Sequence, residues 1–338
     1  MEIVARNVNH AYARGLTYLR NHGEKHTSRN GPVVRSPEPV LTIYERPRER
    51  VLFSDARDAN PFFHVMEGLW MLSGGRDAGR IAKFNSQMNQ YANKYGNFDG
   101  AYGYRWLYHF GLNQVSAVVQ ELTERPDSRR AVIAMFDPRV DHNPASLDIP
   151  CNTTIYFRIR DNCLDMTVCC RSNDAVWGCY GANAVHMSML QEVVAAKLAV
   201  KMGRYYQFSN DLHYYPGVKN HQELVNNPIS RDRYAEFMMP AYPLVHHAGT
   251  WDEELVAFMQ RPDYPDFQRE PLLNHFLTMV ASPMYRAFYI YKLSKDPQMT
   301  YDRCAVSAAI RIAETVEDTY WRIACCEWLN RRLNRRLS

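Results

Sequence analysis

Two strand-like runs, Thr153 to Arg160 and Leu164 to Cys170, are separated by the turn pair Asp161-Asn162. Both runs are rich in β-branched, aromatic and other apolar residues, so they read as neighbouring strands of a hairpin. This pattern constrains the fold more than any other stretch, because a hairpin returns its two ends to one place. Asp148-Ile149-Pro150-Cys151-Asn152 leads into the first run, and Arg171-Ser172-Asn173-Asp174 follows the second. One segment supplies a candidate nucleophile. The other offers a cation, a hydroxyl, an amide and a carboxylate, the makings of an anion site. Together they point to covalent chemistry on a phosphorylated substrate.

The remaining elements bound the fold class. Residues 7–22 read as a helix, residues 23–40 as an irregular loop and Leu41 to Glu45 as a short strand. Pro61 opens a helix running from Phe62 to Ser73, and a second helix is expected over residues 79–94. Arg130 to Phe136 is a further strand, with turn signals at Asp137-Pro138 and Asn143-Pro144. A long apolar helix is expected from Ala184 to Met202, stopped by Gly203, and then a strand from Tyr205 to Leu212. Beyond residue 250 the pattern is helical. Strands and helices mix without regular βαβ alternation. The class is therefore α+β, a mixed sheet with packed helices. Residues 1–245 form the expected catalytic unit, and 246–338 a helical C-terminal extension packed on it.

Composition excludes several functions. A hydrophobic fraction of 46% and a charged fraction of 22% are those of a soluble globular protein. The net charge of +4 does not mark a nucleic-acid binder, although the chain ends in a mildly basic stretch from Asn330 to Ser338. No apolar run approaches the roughly 20 residues that span a bilayer, and the N-terminus is no signal peptide. The eight cysteines include the adjacent pairs Cys169-Cys170 and Cys325-Cys326, which suit neither a disulfide framework nor a zinc site. A reducing cytoplasm is the expected setting.

Four groups of residues could carry chemistry. Cys151 is a nucleophile if cations lower its pKa, and Arg129, Arg130 and Arg171 lie within one loop or one hairpin of it. The bland alternative is a small buried hydrophobe. Arg29, Arg129, Arg130, Arg171 and Ser172 fall in loops or at strand ends, where guanidinium forks could hold a phosphate. Each alone reads equally as a solvated surface residue. Glu67 sits among apolar neighbours, where burial would raise its pKa towards neutrality, against the alternative of a helix-surface glutamate. His213 and Tyr215 alternate along a strand and could face a sugar hydroxyl, or simply plug a turn.

Several of these segments, in order over residues 25–220, resemble the thymidylate synthases and the related pyrimidine nucleotide hydroxymethylases. Arg29-Asn30-Gly31 resembles the family's phosphate loop, and Phe63 to Gly74 the helix that carries its glutamate. Tyr102 to Trp106, Pro126 to Arg130, Pro150-Cys151, Arg171 to Asp174 with Gly178, and Asp211 to Tyr215 match further motifs. The resemblance implies a homodimer in which Arg129 and Arg130 reach the partner's phosphate site. It also implies that Cys151 adds to C6 of a pyrimidine, that 5,10-methylenetetrahydrofolate donates one carbon to C5, and that Glu67 moves protons with Tyr102 nearby. Asp174 would contact the folate pterin, with Gly178 in the adjoining loop.

The departures select among outcomes. Asp148 stands where synthases keep a leucine, and Met88 where they keep a tryptophan against the folate. Asn152 replaces the usual histidine after the nucleophile. A carboxylate in place of an apolar shield could orient water as a general base, which favours hydroxymethyl over methyl transfer. Asn183 occupies the base-reading position. Its amide offers a donor to O4 and an acceptor to N3–H, which leans to dUMP while leaving dCMP open. The alternatives are a thymidylate synthase with an altered site, a CMP hydroxymethylase, and a degenerate member that binds nucleotide or RNA.

Overall fold

The computed structural model describes residues 1–143, 145–146, 148–260, 272–293 and 303–334. Pro144 of the expected Asn143-Pro144 turn, and Arg335 and Arg336 of the basic tail, lie outside the described residues. The main elements in chain order are β1 (Glu2–Ala5), α1 (Val8–His22), β2 (Glu24–Ser28), β3 (Gly31–Arg35), β4 (Val40–Tyr44), α2 (Pro61–Leu72), α3 (Gln114–Glu124), β5 (Val132–Ala134), β6 (Asn152–Arg160), β7 (Cys163–Cys170), β8 (Asn173–Asp174), α4 (Asn183–Lys197), β9 (Lys201–Ser209) and β10 (Leu212–Tyr214). Then come α5 (Trp251–Met259), α6 (Ser282–Leu293), α7 (Arg303–Ala313) and α8 (Thr319–Asn334).

Among the described residues, one six-stranded sheet runs in the order β1-β4-β9-β7-β6-β5 and one four-stranded sheet in the order β2-β3-β10-β8. Both are mixed: β1–β4, β7–β9 and β8–β10 pair parallel, and the other neighbours antiparallel. The α+β expectation and the central hairpin hold. Asp161 and Asn162 both take positive φ at the turn between β6 and β7, the left-handed conformation that short polar side chains tolerate.

The buried helix α4 lies between the large sheet and α2. It is buried on nearly every side from Asn183 to Ala195, as a helix without a solvent face must be. Gln191 fastens it to the sheet by donating to the backbone carbonyls of Leu164, Gly203 and Arg204. The helices after residue 250 cover the far side of α2, where Phe62 meets the rings of Phe288 and Trp328. Arg331 and Arg332 of α8 pair with Asp58 just before α2.

Three sequence expectations need correction. Residues 23–40 contain the hairpin β2–β3 rather than a loop. β2 is an exposed edge strand with no apolar alternation, so its pattern is silent; it forms because β3, anchored by buried Val33 and Val34, offers a backbone to pair with. Residues 79–94 break at Asn85, which is extended and turns its side chain onto the Gln87 N–H, leaving short helical turns at Ala78–Ala82 and Ser86–Tyr91. The long helix ends at Lys197, where Ala199 takes φ +54°, and Gly203 lies inside β9. A Cβ at Gly203 would come within 2.9 Å of the Leu164 carbonyl oxygen, so this glycine serves strand approach and not helix termination.

Candidate active site

The register of β6 against β7 sets Asn152 opposite Cys170, so Cys151 and Arg171 emerge side by side. The Arg171 N–H donates to the Cys151 carbonyl at 2.9 Å. Its guanidinium is held by the carbonyls of Pro150 and Ile149 at 3.0 and 2.9 Å, which places Nη2 3.9 Å from Cys151 Sγ. Burial pushes the thiol up, and Arg171 and Arg29 oppose that rise by stabilising the thiolate. Of the cations expected to converge on Cys151, Arg171 is one whose charge reaches the thiol, and the charge of Arg29 reaches it as well. Arg129 and Arg130 are exposed on the loop before β5, with Arg130 near Glu121, and are not among the cations acting on the thiol.

Behind the cysteine runs a buried amide relay. Cys170 Sγ is close to Asn152 Oδ1, Asn152 Nδ2 donates to Asn183 Oδ1 at 3.3 Å, Asn183 Nδ2 donates to Asn173 Oδ1 at 3.1 Å, and Asn173 Nδ2 donates to Ser209 Oγ at 2.9 Å. Burial raises the Cys170 thiol well above its ordinary range, so it keeps its proton and acts as the donor, which sets the direction of the chain. Asn183 retains one N–H and one lone pair. Gly178 leaves room for this arrangement, since a Cβ there would stand 3.2 Å from Asn173 Oδ1.

Glu67 and Asp148 are both affected by burial. Glu67, on α2, has its carboxyl raised to about 8. Asp148 is raised by burial, opposed by the Gly100 N–H that its Oδ2 accepts at 2.8 Å. Its charge is felt at Cys151. The Tyr102 hydroxyl meets the backbone N–H of Asn152, and burial next to Cys151 raises its pKa well above the usual phenol range. Met88 is half-buried against the core in the turn Ser86–Tyr91.

The small sheet brings up the other side. β10 pairs with β3 and β8, aligning His213 with Arg35 and with Asp174. His213 Nδ1 lies 3.1 Å from the Asp211 carbonyl and its ring sits edge-on to Tyr215, centroids 5.1 Å apart. Asn30 at the exposed β2–β3 tip donates to the Tyr215 hydroxyl at 3.5 Å, beside Arg29. Ser172 is half-buried between Arg171 and β8. Asp174 caps the π-type segment Ala175–Ala182, its Oδ1 accepting the N–H groups of Val176 and Trp177.

Four residues were not anticipated. His186 lies one helical turn after Asn183, with Nε2 3.3 Å from Glu67 Oε2; that i, i+3 spacing on α4 was legible in the sequence. Trp177 is 47% exposed, with the Arg57 guanidinium 4.2 Å from its ring centre. His221 is buried with both ring nitrogens unpartnered, its ring 6.1 Å from that of Trp177, and no local pattern signals it.

The thymidylate synthase family model matches residues 10–249. A deoxyuridylate hydroxymethyltransferase of Pseudomonas phage M6 is 42% identical, covering 98% of this chain and 94% of its own. Another enzyme so named, from Bacillus phage SP01, is 34% identical over 75% of this chain and 68% of its own. A putative thymidylate synthase of Methanosarcina barkeri is 30% identical over 62% of this chain and 88% of its own. On this match, and on the arrangement of Cys151, Arg171 and the amide relay, the chain belongs to the thymidylate synthase family.

Proposed function

We propose that this protein is a deoxyuridylate 5-hydroxymethylase, transferring a one-carbon unit to C5 of dUMP with water completing the reaction. The carrying observation is the half-buried Asp148 carboxyl at the nucleophile segment, where an apolar shield would favour hydride transfer instead. The names of the phage M6 and SP01 relatives support the same outcome. The free N–H and lone pair of Asn183 suit O4 and N3–H of uracil, which favours dUMP over dCMP.

Arg29, Arg171 and Ser172, with Arg129 and Arg130 of a second subunit, would hold the 5′-phosphate, and His213 and Tyr215 the sugar. Cys151 Sγ forms a bond to C6 and the displaced π electrons move towards O4, where Glu67 delivers a proton through Tyr102 and water. C5 bonds to the one-carbon unit and its hydrogen leaves as a proton to water, which gives an exocyclic methylene; Asp148 takes a proton from the water that adds to this methylene, and the electron pair returns to the ring. Sγ leaves as the C5–C6 double bond re-forms.

The one-carbon donor is 5,10-methylenetetrahydrofolate, which supplies the methylene group when bound. The residues present fit a pterin. Asp174 has a second carboxylate oxygen beyond its capping role, Trp177 offers an open ring face, and His221 has two unpaired ring nitrogens. Met88 and Gly178 would flank this pocket.

We further assign a homodimer, a catalytic unit over 1–245 with a helical extension over 246–338, and a reducing cytoplasmic setting. The family match ending at residue 249 and the ring packing of Phe62 against Phe288 and Trp328 support the two-part layout, and the exposed Arg129 and Arg130 suit the phosphate site of a second subunit. No helix among those residues is long and apolar enough to cross a membrane. The test is incubation with methylenetetrahydrofolate and dUMP, dCMP or CMP, with products identified by mass. Hydroxymethyl-dUMP with tetrahydrofolate is expected; a methylated base with dihydrofolate overturns the reading.

A further inference from the structure

We propose that His186 is a positioning residue that holds Glu67 as a proton-loaded acid, its Nε2 serving as the acceptor for the carboxyl O–H. The inference rests on the functional reading above, in which Glu67 delivers a proton to the pyrimidine.

His186 and Glu67 are 2% and 5% exposed, and Nε2 lies 3.3 Å from Oε2; as an N–H donor Nε2 finds no hydrogen-bond partner, that contact included. A ring N–H of His186 meets the backbone carbonyl of His64. Since Nε2 has no such partner, that N–H is Nδ1–H. The neutral ring then presents only a lone pair at Nε2. A carboxylate opposite a lone pair repels it, whereas a protonated carboxyl can turn its O–H onto it.

A 3.3 Å contact between imidazole and carboxyl could also be an ion pair, but burial works against both charges. It lowers His186 to about 3 and raises Glu67 to about 8, so both are neutral near pH 7. The surrounding charges do not reverse this. His64, a turn earlier on α2, sits edge-on to His186 with centroids 6.3 Å apart and is itself kept neutral by burial, His186 and Arg57. Glu192 on α4 is bound to Arg48 and Arg50, Lys197 to Asp252 of α5, and Arg331 and Arg332 of α8 to Asp55 and Asp58. The rise at Glu67 has burial as its cause.

The position completes a line through the site. Cys151 adjoins Asn152, Asn152 bonds Asn183, and His186 is one turn further along α4 on the same face, against α2. The element that reads the base thus also sets the protonation of the acid.

The test compares pH–rate profiles of hydroxymethyl-dUMP formation for wild type, His186→Ser and His186→Gln, with Cys151→Ala as blank. Wild-type activity should fall as pH rises through about 8. In His186→Ser a hydroxyl and incoming water can donate to the carboxylate, so the alkaline limb should move down by about one unit. The rate at pH 8 should then drop about tenfold, with KM for dUMP nearly unchanged. His186→Gln retains an acceptor oxygen and should recover most of the loss. An unmoved limb in His186→Ser overturns the proposal, as does a Gln variant no better than Ser. An infrared difference between wild type and Glu67→Gln at pH 7 reads the group directly. A protonated-carboxyl band is expected, and a carboxylate band overturns the proposal even if the His186 variants fail to fold. Should wild type form no hydroxymethyl product, the functional reading fails, while the same infrared difference in wild type and His186→Ser backgrounds still decides the proposal: the loss of the protonated-carboxyl band in His186→Ser is expected, and an unchanged band overturns it.

Discussion

Glu67 and Asp148 are both raised by burial, yet their partners differ in a way that suits the proposed roles of acid and base. Glu67 faces a lone pair, which favours its protonated form, whereas Asp148 accepts the Gly100 N–H, which favours its carboxylate. Asp148→Leu should therefore cut hydroxymethyl product about tenfold or more while sparing C5 tritium release from dUMP, as read by product mass and released water. Asn183→Asp should swing the ratio of kcat/KM for dCMP over dUMP by at least about tenfold, because a protonated acid can pair with N3 of cytosine. Glu67 also carries a stability signature. With the folded carboxyl at about 8 against 4.5 unfolded, the unfolded chain releases its proton first, so stability falls as pH rises through that window. Glu67→Gln should match wild type in melting near pH 4 and exceed it by about 2–4 kcal/mol near pH 9. At this scale the sequence exposed Cys151, Arg171 and Glu67 because their neighbours are distinctive. His221 was silent, since its surroundings come from distant segments.

The elements show where pattern suffices and where pairing decides. The periodicity of α1 and α2 and the β6–β7 hairpin are local properties, and the structure keeps them. The strands β2 and β8 carry little pattern of their own and exist because β3 and β10 offer edges. The end of α4 depends on Ala199 at φ +54°, a conformation that penalises a Cβ. Ala199→Gly should stabilise by about 0.5–1 kcal/mol in chemical denaturation without altering activity. On the opposite side of α2, Trp328→Ala should cost about 3–5 kcal/mol, because it empties a buried contact with Phe62, Phe288 and Tyr291.

For the whole molecule, the exposed Arg129 and Arg130 and the open outer face of the large sheet, with Tyr156 and Arg158 exposed, fit the proposed pairing of two chains. Sedimentation equilibrium should give twice 39.4 kDa. Mixing inactive Cys151→Ala and Arg129→Ala/Arg130→Ala proteins under subunit exchange should restore about a quarter of wild-type activity, because half the dimers would pair one doubly defective site with one intact site. Separate inactive proteins that stay inactive on exchange would remove the shared site. By itself the sequence determined the α+β class, the hairpin that joins Cys151 to Arg171, and the order of motifs, because these depend on residue type and short spacing. Tertiary structure decided which arginines act on Cys151, the direction of the amide relay and the pairing of Glu67 with His186. Each of these depends on burial and on contacts between segments far apart in the chain, which local pattern does not encode.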